Sequence, residues 1–257
     1  MLQYQPELIS PSFMQDSYDK IFKDKQKILV VMAHPDDAEI YAGGTIARLT
    51  ADGKEVRVVK MTSGNKGSRQ EDVSESKLKK VRIEEDANSM KVLGVSRQNT
   101  VCLDLGDGEV ENDLKTIGLL AKEIRLFKPQ LIITHNPEHT VIRFGPGDSW
   151  VNHRDHRHTG MSALDAAYPY SRDLLFFPHH FKDPQAASHA VSEFLLVDYW
   201  DHPDTVGIGI GKFVAIRNRA IASHKSQYSE EDAKGLTEFM DQISEGTFER
   251  FRYVVAD

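Results

Sequence analysis

Cysteine is almost missing from this chain: Cys102 is the only one in 257 residues. An internal disulfide is therefore impossible, and zinc sites built from thiolates are excluded. No apolar run reaches the roughly eighteen residues that a membrane span needs. Positive charge is not in excess. The 32 Lys and Arg residues face 39 Asp and Glu, a formal net charge of -7, which argues against a general nucleic-acid role. The glycine fingerprint G-x-G-x-x-G is also missing, which disfavours a dinucleotide enzyme. Gly43-Gly44 lacks that spacing and is read as permitting close helix–strand approach. Residues 1–27 show neither the basic nor the apolar region of a secretory signal, so the expected location is cytoplasmic. Histidine, by contrast, is plentiful, with 11 copies. A bound transition metal would have to be held by imidazole and carboxylate.

An apolar content of 40% and a charged content of 28% are ordinary for a globular protein. The length suits one large α/β domain covering 1–257, with residues 1–25, broken by Pro6 and Pro11, packed across it as an arm. Lys27 to Met32 is a continuous apolar run of the kind buried in a parallel sheet. A helix is expected from Ala38 to Ala51, a strand from Val56 to Met61, and a helix from Ser76 to Leu93 closed by Gly94. A short strand Val101 to Leu103, a helix Leu114 to Phe127 and a strand Leu131 to Thr134 follow. This alternation predicts a Rossmann-like parallel sheet flanked by helices. Ligands then bind beyond the carboxyl ends of the strands, near residues 34–39, 62–69, 104–108 and after His135. Residues 135–150 read as a loop rich in Pro and Gly. A helix capped by Asn152 runs from near His153 to about Tyr168. A strand, Phe194 to Tyr199, and two helices, Phe213 to Ser223 and Ser229 to Ser244, form a C-terminal elaboration.

The sharpest feature is Ala33-His34-Pro35-Asp36-Asp37-Ala38-Glu39, where a strand hands over to a helix. Adjacent residues in such a turn point different ways. His34 and one aspartate can reach a metal while the other aspartate faces a substrate; the competing reading is a helix start favoured by the dipole. The second feature is His153-Arg154-Asp155-His156. His153 and His156 share a helix face at i, i+3, the face that continues through Gly160, Ala163 and Leu164. Exposed imidazoles on a polar helix start are the alternative. Together the motifs supply two imidazoles and a carboxylate as ligands, the usual protein share of a catalytic zinc site. One carboxylate and one imidazole are left for proton transfer and oxyanion stabilisation, as amide hydrolysis requires. Asp155 can orient a histidine or serve as a capping-box carboxylate.

The first motif with its Gly43-Gly44-Thr45 continuation resembles the start of the PIG-L/LmbE-like zinc N-deacetylases, and His153-x-Asp155-His156 looks like their second metal motif. Ala222-Ser223-His224-Lys225-Ser226-Gln227 is similar to their C-terminal His-x-Ser-Gln motif. Thr62-Ser63-Gly64, Arg82-x-x-Glu85 and Leu93-Gly94-Val95 fall in the family's order. The resemblance spans about Lys27 to Gln227. It implies an LmbE-like fold and an amidohydrolase acting on an N-acetylglucosamine-type sugar or conjugate. It implies zinc on His34, Asp37 and His156, Asp36 as general base, and His153 as oxyanion stabiliser and acid. Arg82 and Asp107 would lie in the sugar-binding zone. Ferrous iron accepts the same ligand set. His224 reads either as supporting the substrate site or as a satisfied core histidine. His135 and His139 are the remaining histidines expected nearest the substrate. Cys102 reads as an inert core thiol, and Trp150 as a core residue or a sugar-stacking one. An amidase of a larger thiol-sugar conjugate and a non-catalytic carbohydrate-binding protein are the rival functions. Homo-oligomerisation is left open.

Overall fold

The computed structural model describes residues 14–69, 71–145, 148–197, 202–243 and 248–256. Its framework is a seven-stranded sheet. The strands are β1 (Lys27–Met32), β2 (Glu55–Thr62), β3 (Thr100–Leu105), β4 (Leu131–His135), β7 (Glu193–Val197), β8 (Thr205–Gly209) and β9 (Phe248–Val255), in the order β3-β2-β1-β4-β7-β9-β8. The first five of these in the chain run parallel. β9 pairs antiparallel with β7 and β8 antiparallel with β9, so the expected parallel sheet is a mixed one. Val31 pairs with Val59 on one side and Thr134 on the other. β1 is therefore covered by neighbours on both edges and by helices on both faces, which is why its sequence is an unbroken apolar run.

Two cores follow from strand alternation. Ile28, Val30 and Met32 face the layer of α2 (Asp37–Ala51), α3 (Glu75–Val92) and α6 (Val214–Ile221). Leu29 and Val31 face α4 (Leu114–Phe127) and α5 (Arg154–Asp165). The described part of the predicted arm packs against this body. Its short helix α1 (Tyr18–Phe22) buries Tyr18, Ile21 and Phe22, and Asp16 bridges to Gly207 on β8. Residues 1–13 lie outside the described residues. No helix among the described residues is long and apolar enough to cross a membrane.

Two expectations change, and two strands join the sheet. Residues 135–150, read as a loop, contain an antiparallel hairpin of β5 (Val141–Gly145) and β6 (Asp148–Val151). The local sequence pattern does not announce β8 and β9. β8 is short and rich in glycine, and β9 places a buried Glu249 where an apolar residue would mark the inner face. β3 is an edge strand on which Cys102 is exposed, not an inert core thiol. The last expected helix is α7 (Glu230–Ile243); Ser244, its expected end, and Asp198 and Tyr199 of the expected 194–199 strand lie outside the described residues.

Gly43 and Gly44 allow α2 to meet α6 and the residue after β8, rather than a strand face. A Cβ on Gly43 would lie 2.9 Å from Arg217 Cγ, and one on Gly44 2.7 Å from two carbons of Ile210. The contact is locked by Glu249, whose two oxygens accept from Gly44 N–H and Thr45 N–H at 2.7 Å each. Gly44→Ala is expected to cost about 1–3 kcal/mol through over-packing, read as a lower denaturation midpoint at unchanged m-value.

Candidate metal centre and active site

The sheet reverses its winding between β1 and β4. That topological switch opens a crevice at the carboxyl ends of the strands, and the loops singled out from the sequence meet there. Ala33 N–H donates to His135 Nε2 at 3.2 Å, joining β1 to β4. Lys66 N–H donates to Asp107 Oδ2 at 2.7 Å, joining the loops after β2 and β3. Gly108 N–H donates to Asp155 Oδ2 at 2.7 Å, tying the loop after β3 to α5.

Asp36 occupies the N-cap position of α2, but its side chain caps nothing. Its φ of 97° places a non-glycine residue on the left-handed side, a conformation that costs about 1–3 kcal/mol and concentrates at functional sites. The turn sends neighbouring carboxylates in different directions. Asp36 Oδ1 accepts from Arg82 Nη2 at 3.2 Å, and Oδ2 accepts from the Tyr228 hydroxyl at 2.9 Å. Burial raises the Asp36 pKa, with Arg82 opposing and Asp37 adding to the rise.

Asp37 turns the other way, into a nest of imidazoles. Its Oδ2 accepts from His34 N–H at 2.8 Å and lies 3.3 Å from His34 Nδ1. Its Oδ1 lies 3.2 Å from His156 Nε2. Ligand atoms bonded tetrahedrally at about 2.0–2.1 Å sit roughly 3.3 Å apart; the groups close enough to share a cation among the described residues are His34–His153–His156, Asp37–His135–His156 and His34–Asp107–Asp155. Asp37 is buried, and its ion-pair partners among the described residues are all histidines. Burial alone would raise its pKa, but the charge of His156 and bonds from His135, His156 and His34 hold it well below the carboxylate range.

The tautomers follow from the outer partners. His34 Nε2 lies 3.2 Å from Asp155 Oδ2 and 3.3 Å from Asp107 Oδ1, and Nδ1 faces Asp37. Burial pushes the ring's pKa down, but bonds to Asp107, Asp155 and Asp37 hold it well above the usual imidazole value, and a cation on Nδ1 would leave the proton on Nε2. Asp155 is fully buried and fixed, since it also accepts from Val110 N–H at 3.2 Å. His153, not Asn152, is the N-cap of α5: its Nδ1 accepts from Asp155 N–H at 3.2 Å. A neutral His153 therefore carries its proton on Nε2. Burial, then the charges of His34 and His156, lower its pKa and favour that neutral form. Asn152 instead fastens the base of the β5–β6 hairpin, accepting with its backbone O from Arg157 and donating with Nδ2 to His139 O at 3.0 Å.

Other expected substrate contacts lie deeper. Arg82 is only 3% exposed, and its guanidinium binds Pro35 O at 2.6 Å, Gly64 O at 3.0 Å and Asp36. It braces the loops beneath the site. Asp107 is 7% exposed; burial pushes its pKa up, but bonds from His34 and Lys66 N–H hold it down at about 2. His224 is fully buried, with Nε2 2.9 Å from Glu39 Oε1 behind α2, so it supports the site and cannot line it. His135, expected at the rim, is buried behind Asp37, stacks on His156 with ring centroids 4.0 Å apart, and has its pKa lowered by burial to about 4. His139 is exposed beside the hairpin. Trp150 is exposed, stacked on Phe239 of α7. Sequence reasoning missed Tyr228; its one available signal was a phenol directly following His-x-Ser-Gln.

The family model for GlcNAc-PI de-N-acetylase, PIG-L, matches residues 29–167, just over half of the chain. A diacetylchitobiose deacetylase of Thermococcus kodakarensis is 28% identical over 82% of this chain and 73% of its own length. A mycothiol S-conjugate amidase of Streptomyces coelicolor is 24% identical over 81% of this chain and 84% of its own. The solved structure of N,N'-diacetylchitobiose deacetylase from Pyrococcus horikoshii with its inhibitor superposes with a TM-score of 0.79 at 27% identity, covering 91% of this chain and 85% of that one. Sheet, crevice and motif placement thus agree with the match, and the chain belongs to the PIG-L family of de-N-acetylases.

Proposed function

We propose that this protein is a zinc-dependent hydrolase that removes the acetyl group from the amide nitrogen of an N-acetylglucosamine-type sugar or conjugate. The observation that carries the reading is the division of labour in two short motifs. Asp37 lies 3.3 Å from His34 Nδ1 and 3.2 Å from His156 Nε2, which supports assigning His34, Asp37 and His156 as ligands. Asp36, turned to Arg82 and Tyr228, and His153, which groups with His34 and His156, keep the catalytic roles. Two imidazoles and a carboxylate suit zinc, and ferrous iron accepts them too. A divalent ion held there supplies a Lewis acid that lowers the pKa of a water and polarises the amide carbonyl.

The chain's own groups do the rest. Asp36 takes a proton from the attacking water as the C–O bond forms. His153 Nε2–H stabilises the developing oxyanion. As the C–N bond breaks, the proton taken by Asp36 passes to the amine nitrogen by way of His153 Nε2, so that both side chains end as they began and acetate and a free amine are released. With a metal on Nδ1, Asp155 and Asp107 would hold the His34 proton on Nε2. The relatives named for diacetylchitobiose and for a mycothiol conjugate support an amino-sugar substrate and leave its size as the variable.

Acetate release should therefore appear on a panel of N-acetylglucosamine, diacetylchitobiose and N-acetylglucosaminyl-inositol. Chelation should abolish it, and added zinc or ferrous iron should restore it. Undiminished acetate release by the metal-free protein would sink the reading. Cleavage confined to larger amide conjugates would replace it with the amidase alternative.

A further inference from the structure

Two sequence motifs have no part in the chemistry above: Arg82-x-x-Glu85 and His224-Lys225-Ser226-Gln227. The structure joins them. Arg82 and Glu85 lie on one face of α3, three residues apart. Glu85 takes Ser226 in a two-point grip, with Oε1 accepting from Ser226 N–H at 2.7 Å and Oε2 from Ser226 Oγ–H at 2.6 Å. The other end of this turn is pinned by His224 on Glu39. The turn closes through Gln227 N–H and Tyr228 N–H, both donating to His224 O at 3.0 Å. Its outcome is the placement of the Tyr228 hydroxyl 2.9 Å from Asp36 Oδ2.

From this geometry we infer that Glu85, Ser226 and Tyr228 form a positioning relay for the Asp36 carboxylate, so that α3 holds both oxygens of the base: Oδ1 directly through Arg82 and Oδ2 through the Glu85–Ser226–Tyr228 chain. The inference rests on Asp36 being the general base. Asp36 does not cap its helix and sits in a strained turn, so its own backbone does little to orient it. A carboxylate offers about four lone-pair positions; one donor on each oxygen fixes its plane and leaves acceptor sites for a water. Misplacement of a reacting group by about 1 Å costs on the order of 100-fold, which is the penalty the relay avoids.

Kinetics on the metal-loaded enzyme test it. Tyr228→Phe and Glu85→Ala should each lower kcat about 10- to 100-fold while KM, metal content and melting temperature stay close to wild type. Glu85→Gln, which keeps an oxygen for Ser226 N–H, should recover most of the Glu85→Ala loss. The double variant should be no slower than Tyr228→Phe alone, because both act through one route. Unchanged kcat in Glu85→Ala, losses that multiply in the double variant, or a fall in melting temperature without a kcat effect would each overturn the relay. If the wild-type enzyme releases no acetate from any sugar, the deacetylase reading fails on its own. The relay is then judged by crystal structures of wild type and Glu85→Ala: a turned Asp36 carboxylate supports it, and an unmoved one refutes it.

Discussion

Asp36→Asn is expected to cut turnover about 100- to 10,000-fold, the range for loss of a general base, with the metal still bound in full. The substitution is chosen for its backbone. Asp36 has φ of 97°, and asparagine tolerates positive φ better than most residues; Asp36→Ala would mix strain with lost chemistry. The amide side chain matches the carboxylate in volume but cannot accept a proton. The atoms proposed as ligands, on His34, Asp37 and His156, belong to other side chains, so metal content, measured by elemental analysis, should not fall. Activity within a few-fold of wild type would remove Asp36 from the mechanism. Loss of metal together with activity would make Asp36 a ligand and return the assignment of the two aspartates to the start.

The second large effect lies in packing. Gly160 is where α5 presses on the end of β4: a Cβ there would stand 2.3 Å from His135 O and 3.1 Å from Pro137 Cδ. The obstacle is backbone, which cannot swing aside as a side-chain tip can. Gly160→Ala should therefore cost at least the upper part of the over-packing range, about 3 kcal/mol. It should also weaken metal binding, because the same helix carries Asp155 and His156 and starts at His153. Gly235→Ala on α7 is the matched control. A Cβ there meets nothing within 4 Å, so the helix-propensity gain of about 0.5–1 kcal/mol should stand alone and raise stability. Urea denaturation of both variants, with metal titrations of the first, checks the pair. A Gly160→Ala protein as stable as wild type would mean that α5 does not sit this close to β4.

The parallel half of the fold was legible because its strands are buried on both faces. β1, β2 and β4 read as apolar runs, and Gly94 and Pro129 mark where neighbouring helices stop. The antiparallel half was not. β9 alternates Phe, Glu, Arg and Tyr, and its buried Glu249 serves a contact with Gly44 and Thr45 some two hundred positions earlier. Nothing local to residues 248–255 announces that partner. The β5–β6 hairpin was hidden for a related reason: its base is secured by Asn152, which by residue type alone looks like a helix cap.

The candidate site divides the same way. Residue order along the chain was enough to place a metal-type motif at the end of β1 and another at the start of α5, since strand-to-helix turns and i, i+3 spacing are local geometry. Which carboxylate faces which group is not local. Asp155 meets His34 across 121 positions and Tyr228 meets Asp36 across 192. Those contacts exist only because the sheet brings the strand ends together and α3, α5 and α6 pack against it. By itself, the sequence determined the kinds of donor available and the elements that carry them. The tertiary structure decided that His135 and His224 are buried supports, that Arg82 is a brace, and that Tyr228 reaches Asp36. The physical reason is that burial and hydrogen-bond partnership are properties of packed surfaces, and packing joins residues that the chain keeps far apart.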